Sequence, residues 1–315
     1  MVTIFAVPKP FVDHIAIIQR NAIRSWMRLR PRPEIILCGD EEGMDDVRAE
    51  FGLRCIRTIE RNEFGTPLLS SVFGEAQRAA THDLMCYVNA DIMLMSDFGV
   101  AVRRIAEWRR EFLIVSGRWD VDLGEVWLFG GEDWEQRLRD YVRRRGKPHS
   151  YTGIDLFAFR RGLWSRVPPF ALGRTIWDGW LIYQSRASGV PVVDASAVVM
   201  AVHQNHEYPS YLGGRKNIIK GVEGQRNLEL AGGERYMFNL RDATHVLTAK
   251  GVRRALSRHH MRRRLVHALP VLRPALAPVS VIAKFGFVSA EAFTRGLRRV
   301  RNALREGGRS WTQSQ

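Results

Sequence analysis

The stretch DLMCYVNA, residues 83–90, is one of four short and mostly apolar runs within the first ninety residues. The others are VTIFAV (residues 2–7), EIILCG (34–39) and LRCIRT (53–58). Runs of this length, rich in Val, Ile, Leu and Cys, are typical of buried strands. Segments with helical periodicity separate them, so strand and helix alternate along the chain. This alternation predicts an α/β fold, in which a mostly parallel sheet is covered by helices on both faces.

Weaker patterns continue the alternation after residue 90. They predict helices near residues 96–110, 134–145 and 178–188, and strands at 112–117, 154–159, 190–193 and 197–202. Earlier in the chain, Thr66 and Pro67 occupy the N-cap and the first position of a predicted helix that runs to Ala80.

Positive charge is concentrated at the C-terminal end of the chain. The 315 residues carry a formal net charge of +15, and from residue 250 onward 15 Lys and Arg stand against two Glu. The composition also shifts there to Arg-rich helical segments interrupted by prolines. We therefore predict a domain boundary near residue 245. Residues 1–245 would form the α/β domain, and residues 246–315 a basic, helical C-terminal extension.

The spacing of the cysteines and the hydropathy of the chain indicate the cellular compartment in which the protein is expected. Cys38, Cys55 and Cys86 have no paired spacing, which favours a reducing environment over a disulfide framework. The sequence shows neither a charged start followed by an apolar signal segment nor a run of about 18 uncharged apolar residues. These patterns predict a cytoplasmic protein, with peripheral binding at the inner face of the membrane as the one expected exception.

The motif YVNADIML, residues 87–94, places two short polar residues directly after a buried strand. In parallel α/β sheets, ligands gather beyond the carboxyl ends of the strands. A carboxylate there, such as that of Asp91, is costly to bury without a partner and so favours a bound cation. A divalent ion in that place would bridge a diphosphate and neutralise a leaving group. The alternative is that Asn89 and Asp91 only cap the next helix.

This motif resembles the Asp-x-Asp motif of GT-A-fold glycosyltransferases, with Asn89 in place of the first Asp and Asp91 matching the last. Its position after the fourth strand is similar to that in family-2-like members of the bacterial polysaccharide and glycan biosynthesis type. The resemblance covers about residues 1–207. It implies a GT-A-like fold, a nucleotide-diphosphate-sugar donor and Mn²⁺ or Mg²⁺ as cofactor. It also implies inverting transfer of the sugar to a hydroxyl of a glycan or lipid-linked acceptor.

The segment HQNHEY, residues 203–208, follows an apolar, strand-like run. Many GT-A enzymes supply a late His to the metal, and the resemblance implies that role for His203. Imidazole suits Mn²⁺, whereas Mg²⁺ prefers oxygen ligands. For His206 we expect contact with the substrate. The alternative is that both histidines are polar loop residues.

A third group of candidate residues is Trp177-Asp178-Gly179-Trp180. An inverting transfer needs a carboxylate to deprotonate the acceptor hydroxyl, and the apolar faces of sugars stack on aromatic rings. The resemblance implies that Asp178 is the catalytic base and that Trp177 and Trp180 bind the substrate. Asp155 is similar to family residues that contact the donor sugar or the acceptor. In the structural alternative, Asp178 is a helix N-cap between two packing rings.

The resemblance further implies which residues hold the donor nucleotide. The loop after the first strand and the end of the second strand lie where the family binds the base. The candidate residues for nucleotide binding are Pro8, Lys9, Arg20, Asp40, Asn62, Thr66 and Asn89. No Gly-x-Gly-x-x-Gly follows the first strand and no P-loop is present, so neither a Rossmann dinucleotide site nor a P-loop phosphate site is supported.

The basic extension contains a predicted amphipathic helix. Its apolar stripe consists of Ala290, Phe293, Leu297, Val300 and Leu304, with arginines on the opposite side. A helix of this kind is typical of peripheral binding to an anionic membrane surface. The alternatives are that the stripe packs on the catalytic domain or that the charge binds nucleic acid.

Two other functions compete with glycosyl transfer. A sugar nucleotidyltransferase uses a related sheet and metal, but it usually opens with a Gly-rich phosphate loop, which the segment Pro8-Lys9-Pro10 does not resemble. A non-enzymatic nucleic-acid-binding protein would interleave basic residues with aromatic ones. Only four aromatic residues, Phe285, Phe287, Phe293 and Trp311, follow residue 250, so nucleic acid is the less favoured partner. The sequence therefore predicts a metal-assisted glycosyltransferase.

Overall fold

The computed structural model describes residues 1–206 and 220–287 of the chain. Contacts divide the chain into two compact units, Met1–Ala255 and Leu256–Gln315. The division that the structure shows therefore lies C-terminal to the boundary predicted near residue 245.

Within the described residues, the first unit is built from strands and flanking helices. The strands are β1 (Val2–Ala6), β2 (Glu34–Cys38), β3 (Arg54–Ile56), β4 (Leu84–Val88), β5 (Ile92–Met93), β6 (Leu113–Val121), β7 (Lys147–Pro148), β8 (Ile154–Arg160), β9 (Val192–Asp194), β10 (Ala201–Gln204), β11 (His245–Thr248) and β12 (Gly251–Arg254). The helices are α1 (Asp13–Met27), α2 (Met44–Phe51), α3 (Leu69–Ala79), α4 (Ser96–Trp108), α5 (Trp134–Arg145), α6 (Trp177–Ala187) and α7 (Val222–Ala231), with 3-10 turns at Glu234–Tyr236 and Leu240–Asp242.

The strands of the main sheet lie in the order β12-β11-β9-β6-β8-β4-β1-β2-β3. β1 pairs in parallel with β2 and β4, and β2 pairs in parallel with β3. β8 is antiparallel to both of its neighbours, β4 and β6. The alternation of strands and helices explains the parallel part, because each crossover helix returns the chain to the same end of the sheet. The predicted α/β fold class is confirmed.

Strand β6 is long enough to pair with two different sets of strands along its length. Its first half pairs with β8 and β9, and after an irregularity between Val115 and Gly117 its second half pairs with β10 and β7. β10 also pairs antiparallel with β5, the short strand that follows Asp91. This second pairing brings Asp91 beside β10 at the carboxyl end of β4.

Alternate residues of the central strands fill two hydrophobic layers, one on each face of the sheet. Ile4 and Ala6 of β1 belong to the core cluster that includes Trp26 of α1. Between them, Phe5 packs against Phe73 of α3, with ring centroids 5.1 Å apart. A sheet covered on both faces needs apolar residues at successive positions, which is why these strands read as continuous apolar runs.

The predicted helix start at Thr66 is wrong. Helix α3 begins at Leu69, and a turn precedes it in which the Asn62 side chain accepts a hydrogen bond from the Thr66 N–H at 2.9 Å. Pro67 then forms an isolated β-bridge with Arg61. The proline therefore marks an extended segment, a conformation that its fixed φ suits as well as it suits a first helical turn.

The sheet continues past the predicted domain boundary. β11 pairs in parallel with β9 and forms an antiparallel hairpin with β12. Gly251 closes that hairpin at a φ of +119°, a conformation that favours glycine. Leu247 of β11 is fully buried in the main core cluster. The hairpin thus belongs to the α/β unit, which is why that unit ends at Ala255.

The second unit is described through residue 287. It consists of α8 (Arg258–Arg262), a π-helical segment (Arg263–Ala268), α9 (Leu269–Leu272), a 3-10 turn (Pro274–Leu276) and helical residues 277–287. The predicted apolar stripe from Ala290 to Leu304 lies outside the described residues. In the part of the chain that the structure describes, no helix combines the length and the apolar character needed to cross a bilayer.

Truncation of Leu247 tests whether the C-terminal hairpin is part of the core of the first unit. We expect Leu247→Ala to lower the free energy of unfolding by about 2–5 kcal/mol, because it leaves a cavity in a packed core. Leu128→Ala is the matched control. Since Leu128 is 72% exposed, its truncation should change stability by less than about 0.5 kcal/mol. Denaturant unfolding of both variants measures the difference, and equal stabilities would contradict this placement of the hairpin.

Candidate functional site

The candidate site lies where β4 ends. Asp91 follows β4 in the short loop to β5, and the pairing of β5 with β10 sets His203 opposite Ile92. His206 comes two residues after the end of β10. One potential ligand atom from each of Asp91, His203 and His206 lies within 4.8 Å of the other two, and no other such trio occurs in the described ranges. The structure thus brings together the two residues predicted as metal ligands and adds a third.

The atoms of this cluster face one another at short range. His206 Nε2 lies 3.0 Å from Asp91 Oδ2, and His203 Nε2 lies 3.7 Å from the same oxygen. The side chains of Asp91, His203 and His206 are 15%, 5% and 1% exposed. The other carboxylate oxygen, Asp91 Oδ1, is buried and has no hydrogen-bond partner among the described residues. Buried polar atoms normally have a partner, so this oxygen is available to a further ligand.

Asp120 of β6 stands on the other side of the His203 ring. Asp120 Oδ1 lies 3.1 Å from His203 Nδ1, an ion-pair distance, although that nitrogen makes no well-formed hydrogen bond within the described chain. His149 Nδ1 donates to Asp120 Oδ2 at 2.5 Å, and Arg118 Nε donates to Asp120 Oδ1 at 2.9 Å. With Asp120 at Nδ1, the His203 ring presents Nε2 to Asp91. Histidines that bind metals are usually oriented in this way.

Asn89 and Asp155 form a second part of the site. Asn89 Nδ2 donates to Asp155 Oδ1 at 2.7 Å, and Asn89 Oδ1 accepts from the Tyr87 hydroxyl at 3.1 Å. Arg118 Nη1 donates to Asp155 Oδ2 at 2.5 Å, which links this pair to Asp120. The structure therefore brings Asn89 and Asp155 together as well. Because both ends of its amide are engaged, Asn89 serves here as a bridge between side chains.

Lys9 approaches the cluster from the loop after β1. Its Nζ lies 3.4 Å from His206 Nε2. Gln19 of α1 holds the backbone of Lys9 at both polar atoms: Gln19 Oε1 accepts from the Lys9 N–H at 2.7 Å, and Gln19 Nε2 donates to the Lys9 C=O at 2.9 Å. Pro8 is buried next to it. The loop is thus fixed with an ammonium group beside the cluster.

The charges in the site shift one another's ionisation. Burial opposes ionisation of Asp91, but the hydrogen bond with His206 and the positive charges of His203 and Lys9 outweigh it and lower the pKa of Asp91 to about 2. Burial also opposes the charged form of His203, yet Asp120 and Asp91 outweigh that effect and raise its pKa. For Lys9 burial dominates and lowers the pKa, against the attraction of Asp91. Asp91 is therefore an anion at neutral pH.

Asp178 lies in the first turn of α6, which follows a strained residue, Ile176, at a φ of +78°. Gly179 allows close packing there, because a Cβ on it would lie only 2.5 Å from the Phe238 carbonyl oxygen. Burial raises the pKa of Asp178 to about 6, and the negative charge of Asp155 adds to the rise. The hydrogen bond that Asp178 Oδ1 accepts from the Gly179 N–H, at 2.8 Å, opposes it.

The tryptophans on either side of Asp178 contribute mainly to packing. Trp177 packs edge-on against Tyr87 at 5.6 Å, and Trp180 packs edge-on against Phe170 at 5.4 Å. Only 6% of Trp177 and 8% of Trp180 is exposed. Any stacking of a substrate on these rings is thus limited to a small exposed part.

Two of the predicted nucleotide-binding residues are engaged in exposed ion pairs. Arg20 Nε lies 2.8 Å from a carboxylate oxygen of Glu50, and Asp40 Oδ1 lies 2.7 Å from Arg61 Nη2. Exposed pairs of this kind contribute little to stability and exchange partners at low cost.

Asn62 and Thr66 belong to a separate polar cluster with α7. Asn62 Nδ2 donates to Glu223 Oε1 at 2.7 Å, and Arg174 pairs with Glu223. Arg174 Nη2 also lies 3.4 Å from Thr66 Oγ1. This cluster connects the turn after β3 to the segment that precedes α6.

Arg118, Asp120 and His149 were not among the residues predicted for the site. Arg118 and Asp120 stand two positions apart in β6, so their side chains share one face. Two charged residues on one face at the end of a buried strand are a pattern from which a functional role could have been predicted. His149 gave no local signal, because it lies 29 residues from its partner Asp120 and only the sheet brings the two together.

The donor set fits a divalent cation of the first transition row. One carboxylate and two imidazoles suit Mn²⁺ and the later divalent ions, whereas Mg²⁺ is bound through oxygen. Among the described residues, Asp91 Oδ1 has no hydrogen-bond partner, so this oxygen is available to such an ion.

No protein-family model and no curated protein sequence matches the chain. Among solved structures, it is similar to S. aureus TarS at 11% identity and a TM-score of 0.42, over 65% of this chain and 36% of that one. TarS 1–349 in complex with UDP-GlcNAc matches at 11% identity and a TM-score of 0.42, over 67% and 61%. The chain therefore spans less than two thirds of either TarS chain.

A third similar structure is Mycobacterium tuberculosis glucosyl-3-phosphoglycerate synthase in complex with Mn²⁺, UDP and phosphoglyceric acid. It matches at 15% identity and a TM-score of 0.42, over 74% of this chain and 79% of that one.

The raised pKa of Asp178 predicts that this residue weakens the fold at neutral pH. Its folded pKa of about 6 exceeds the ordinary value of 3.8, so the folded state binds more protons between these values. The contribution of this group to folding stability therefore falls as pH rises from about 4 to about 6, and it stays low at higher pH. We expect Asp178→Asn to be about 1–3 kcal/mol more stable than the wild type at pH 7.5, with no gain below about pH 4.

Denaturant unfolding across this pH range measures the effect. Asp133→Asn is the matched control, since Asp133 is exposed and far along the chain from α6. In this variant the free energy of unfolding should differ between pH 4 and pH 7.5 by the same amount as in the wild type. A destabilised Asp178→Asn at pH 7.5 would refute the assignment of a raised pKa.

Proposed function

We propose that the chain transfers a glycosyl group from a nucleotide-diphosphate-sugar to an acceptor hydroxyl, and that Asp91, His203 and His206 hold the divalent cation used in this reaction. The observation that supports this most is the buried carboxylate with two imidazoles at the carboxyl end of β4. Ligands of parallel α/β sheets bind at that end. With a pKa of about 2, Asp91 is ionised and attracts a cation at neutral pH.

When bound, a divalent cation such as Mn²⁺ supplies positive charge to the donor diphosphate and to the leaving group. The residues of the chain hold and surround that charge. Asp91 offers an oxygen, and each of the two histidines offers a ring nitrogen. Lys9, with Nζ 3.4 Å from His206 Nε2, places an ammonium group where a phosphate oxygen of the donor would be bound.

Asp178 is the proposed catalytic base of an inverting transfer. Its carboxylate takes the proton of the acceptor hydroxyl while that oxygen forms a bond to the anomeric carbon of the donor sugar. The bond from this carbon to the phosphate oxygen breaks, and its electron pair leaves with the nucleoside diphosphate. A pKa of about 6 suits the role, because the group is ionised at neutral pH and is still more basic than an ordinary carboxylate.

Asp155 and Asn89 are proposed to face the donor sugar, held in place by Arg118 and Tyr87. A carboxylate fixed by two donors is a rigid acceptor for a sugar hydroxyl. Contact with the donor nucleotide remains a prediction for five residues, which are Pro8, Arg20, Asp40, Asn62 and Thr66. The substrate contacts of Trp177 and Trp180 also remain predictions. The same holds for a glycan or lipid-linked acceptor and for the cytoplasmic location.

Metal binding tests the proposed site without a known substrate. We expect Mn²⁺ to raise the melting temperature of the protein and to bind more tightly than Mg²⁺, because two of three ligands are imidazoles. Asp91→Asn, His203→Ala and His206→Ala should each weaken Mn²⁺ binding at least about tenfold, as loss of ligands or of their partners does. Isothermal titration of the metal-free protein measures these affinities.

His82→Ala is the matched control for these variants, since His82 is only half-buried and lies outside the cluster. It should bind Mn²⁺ like the wild type. Wild-type affinity in the variants of Asp91 and both histidines would rule out this cluster as the metal site.

Turnover of nucleotide-sugars tests the role of Asp178. We expect Asp178→Asn to lower kcat by about a hundredfold or more, the usual scale for loss of a general base, with donor affinity preserved. In the wild type, kcat should rise with pH up to about 6 and level off above, because the base must be deprotonated. Undiminished turnover in Asp178→Asn, with Asp133→Asn as control, would contradict the assignment.

The product released from the donor separates the two candidate reactions. Glycosyl transfer releases a nucleoside diphosphate, which chromatography identifies. Release of pyrophosphate from a nucleoside triphosphate would instead indicate a sugar nucleotidyltransferase.

A further inference from the structure

The second compact unit carries charge of one sign in its described part. Residues 256–287 contain no Asp or Glu, and their six basic residues are Arg258, Arg262, Arg263, Arg264, Arg273 and Lys284. By contrast, the first unit balances 36 Lys and Arg with 31 Asp and Glu. A segment with this excess attracts anionic surfaces and does so in a salt-dependent manner.

Large apolar side chains are exposed in the same unit. Val279, Ile282 and Phe285 are 46%, 73% and 69% exposed. They follow one another at three-residue spacing in the helical residues 277–287, which places successive members on neighbouring positions of the helix surface. Leu276 and Val281, 45% and 54% exposed, extend the same patch. Apolar side chains clustered in this way on a surface mark a binding site.

We propose that the second unit docks peripherally on an anionic lipid bilayer. Ile282 and Phe285 would enter the boundary between headgroups and acyl chains, while Arg273 and Lys284 meet lipid phosphates. Charge complementarity selects an anionic partner, and the exposed apolar patch selects lipid, because interfacial binding gains from both. Nucleic acid would match the charge but would gain little from exposed aliphatic side chains, since its binding uses phosphate contacts and aromatic stacking.

This proposal stands apart from the proposed function. None of its residues belongs to the cluster around Asp91 or to α6. Its failure would leave the metal site and the catalytic base unaffected, and the reverse also holds.

Sedimentation of the full chain with vesicles tests the proposal. We expect binding to vesicles that contain about one third phosphatidylglycerol to be at least about tenfold tighter than binding to phosphatidylcholine alone, and to weaken as salt rises. The double variant Ile282→Ser with Phe285→Ser should lose about tenfold or more in vesicle affinity. Leu128→Ser is the matched control, because Leu128 is 72% exposed in the first unit; it should bind as the wild type does.

A second pair of variants tests the charge without touching apolar residues. Arg273→Gln with Lys284→Gln should weaken binding to anionic vesicles roughly tenfold or more, because the contributions of two basic residues near such a surface are lost together. Arg48→Gln with Arg143→Gln changes the net charge equally within the first unit and should have no effect. Circular dichroism and melting temperatures establish that each variant is folded.

Duplex DNA, measured in parallel, separates the two anionic partners. If the protein binds both, the apolar double variant should lose vesicle binding and keep DNA binding. Three results would overturn the proposal: no preference for anionic vesicles at low salt, wild-type vesicle affinity in the Ile282 and Phe285 double variant, or DNA binding without vesicle binding.

Discussion

A carboxylate as buried as that of Asp91 costs several kcal/mol unless positive charge is brought to it. The short strand β5 places Asp91 against β10, and β10 carries His203 directly opposite. His206 and Lys9 then approach the same carboxylate from two other segments. The second half of β6 completes the arrangement, because it pairs with β10 and brings Asp120 to the far side of the His203 ring. The path of the chain around β4 and β6 is thus what assembles the site.

The surroundings of Asp91 and Asp178 shift the pKa values of these two carboxylates in opposite directions. Positive partners lower the pKa of Asp91 to about 2, whereas burial without such partners raises that of Asp178 to about 6. A strongly acidic group suits cation binding, and a more basic one suits proton transfer near neutral pH. Asp155 links the two regions, since it hydrogen-bonds Asn89 and Arg118 and its charge adds to the raised pKa of Asp178.

The α/β architecture could be predicted from the sequence pattern itself, whereas the meeting of Asp91 with His203 was expected from the family resemblance of the motif after β4. Apolar periodicity marks the strands, and polar residues that follow a buried strand fall at one edge of a parallel sheet. The contacts that Asp120 makes with His203 and His149 could not be foreseen, because they depend on β6 changing neighbours at an irregularity within the strand. The boundary predicted near residue 245 falls before the C-terminal hairpin, whereas the first compact unit ends at Ala255. The basic composition that begins near residue 250 overlaps β12, while only tertiary packing shows that Leu247 is buried.

The position of a bound metal ion shows directly whether Asp91, His203 and His206 form a metal site. Crystals grown with MnCl₂ and a nucleoside diphosphate would be measured at a wavelength at which manganese scatters anomalously. We expect an anomalous peak about 2.1–2.3 Å from an oxygen of Asp91 and from a ring nitrogen of both His203 and His206. A manganese peak bound elsewhere, or none at these three side chains in well-ordered crystals, would contradict this expectation.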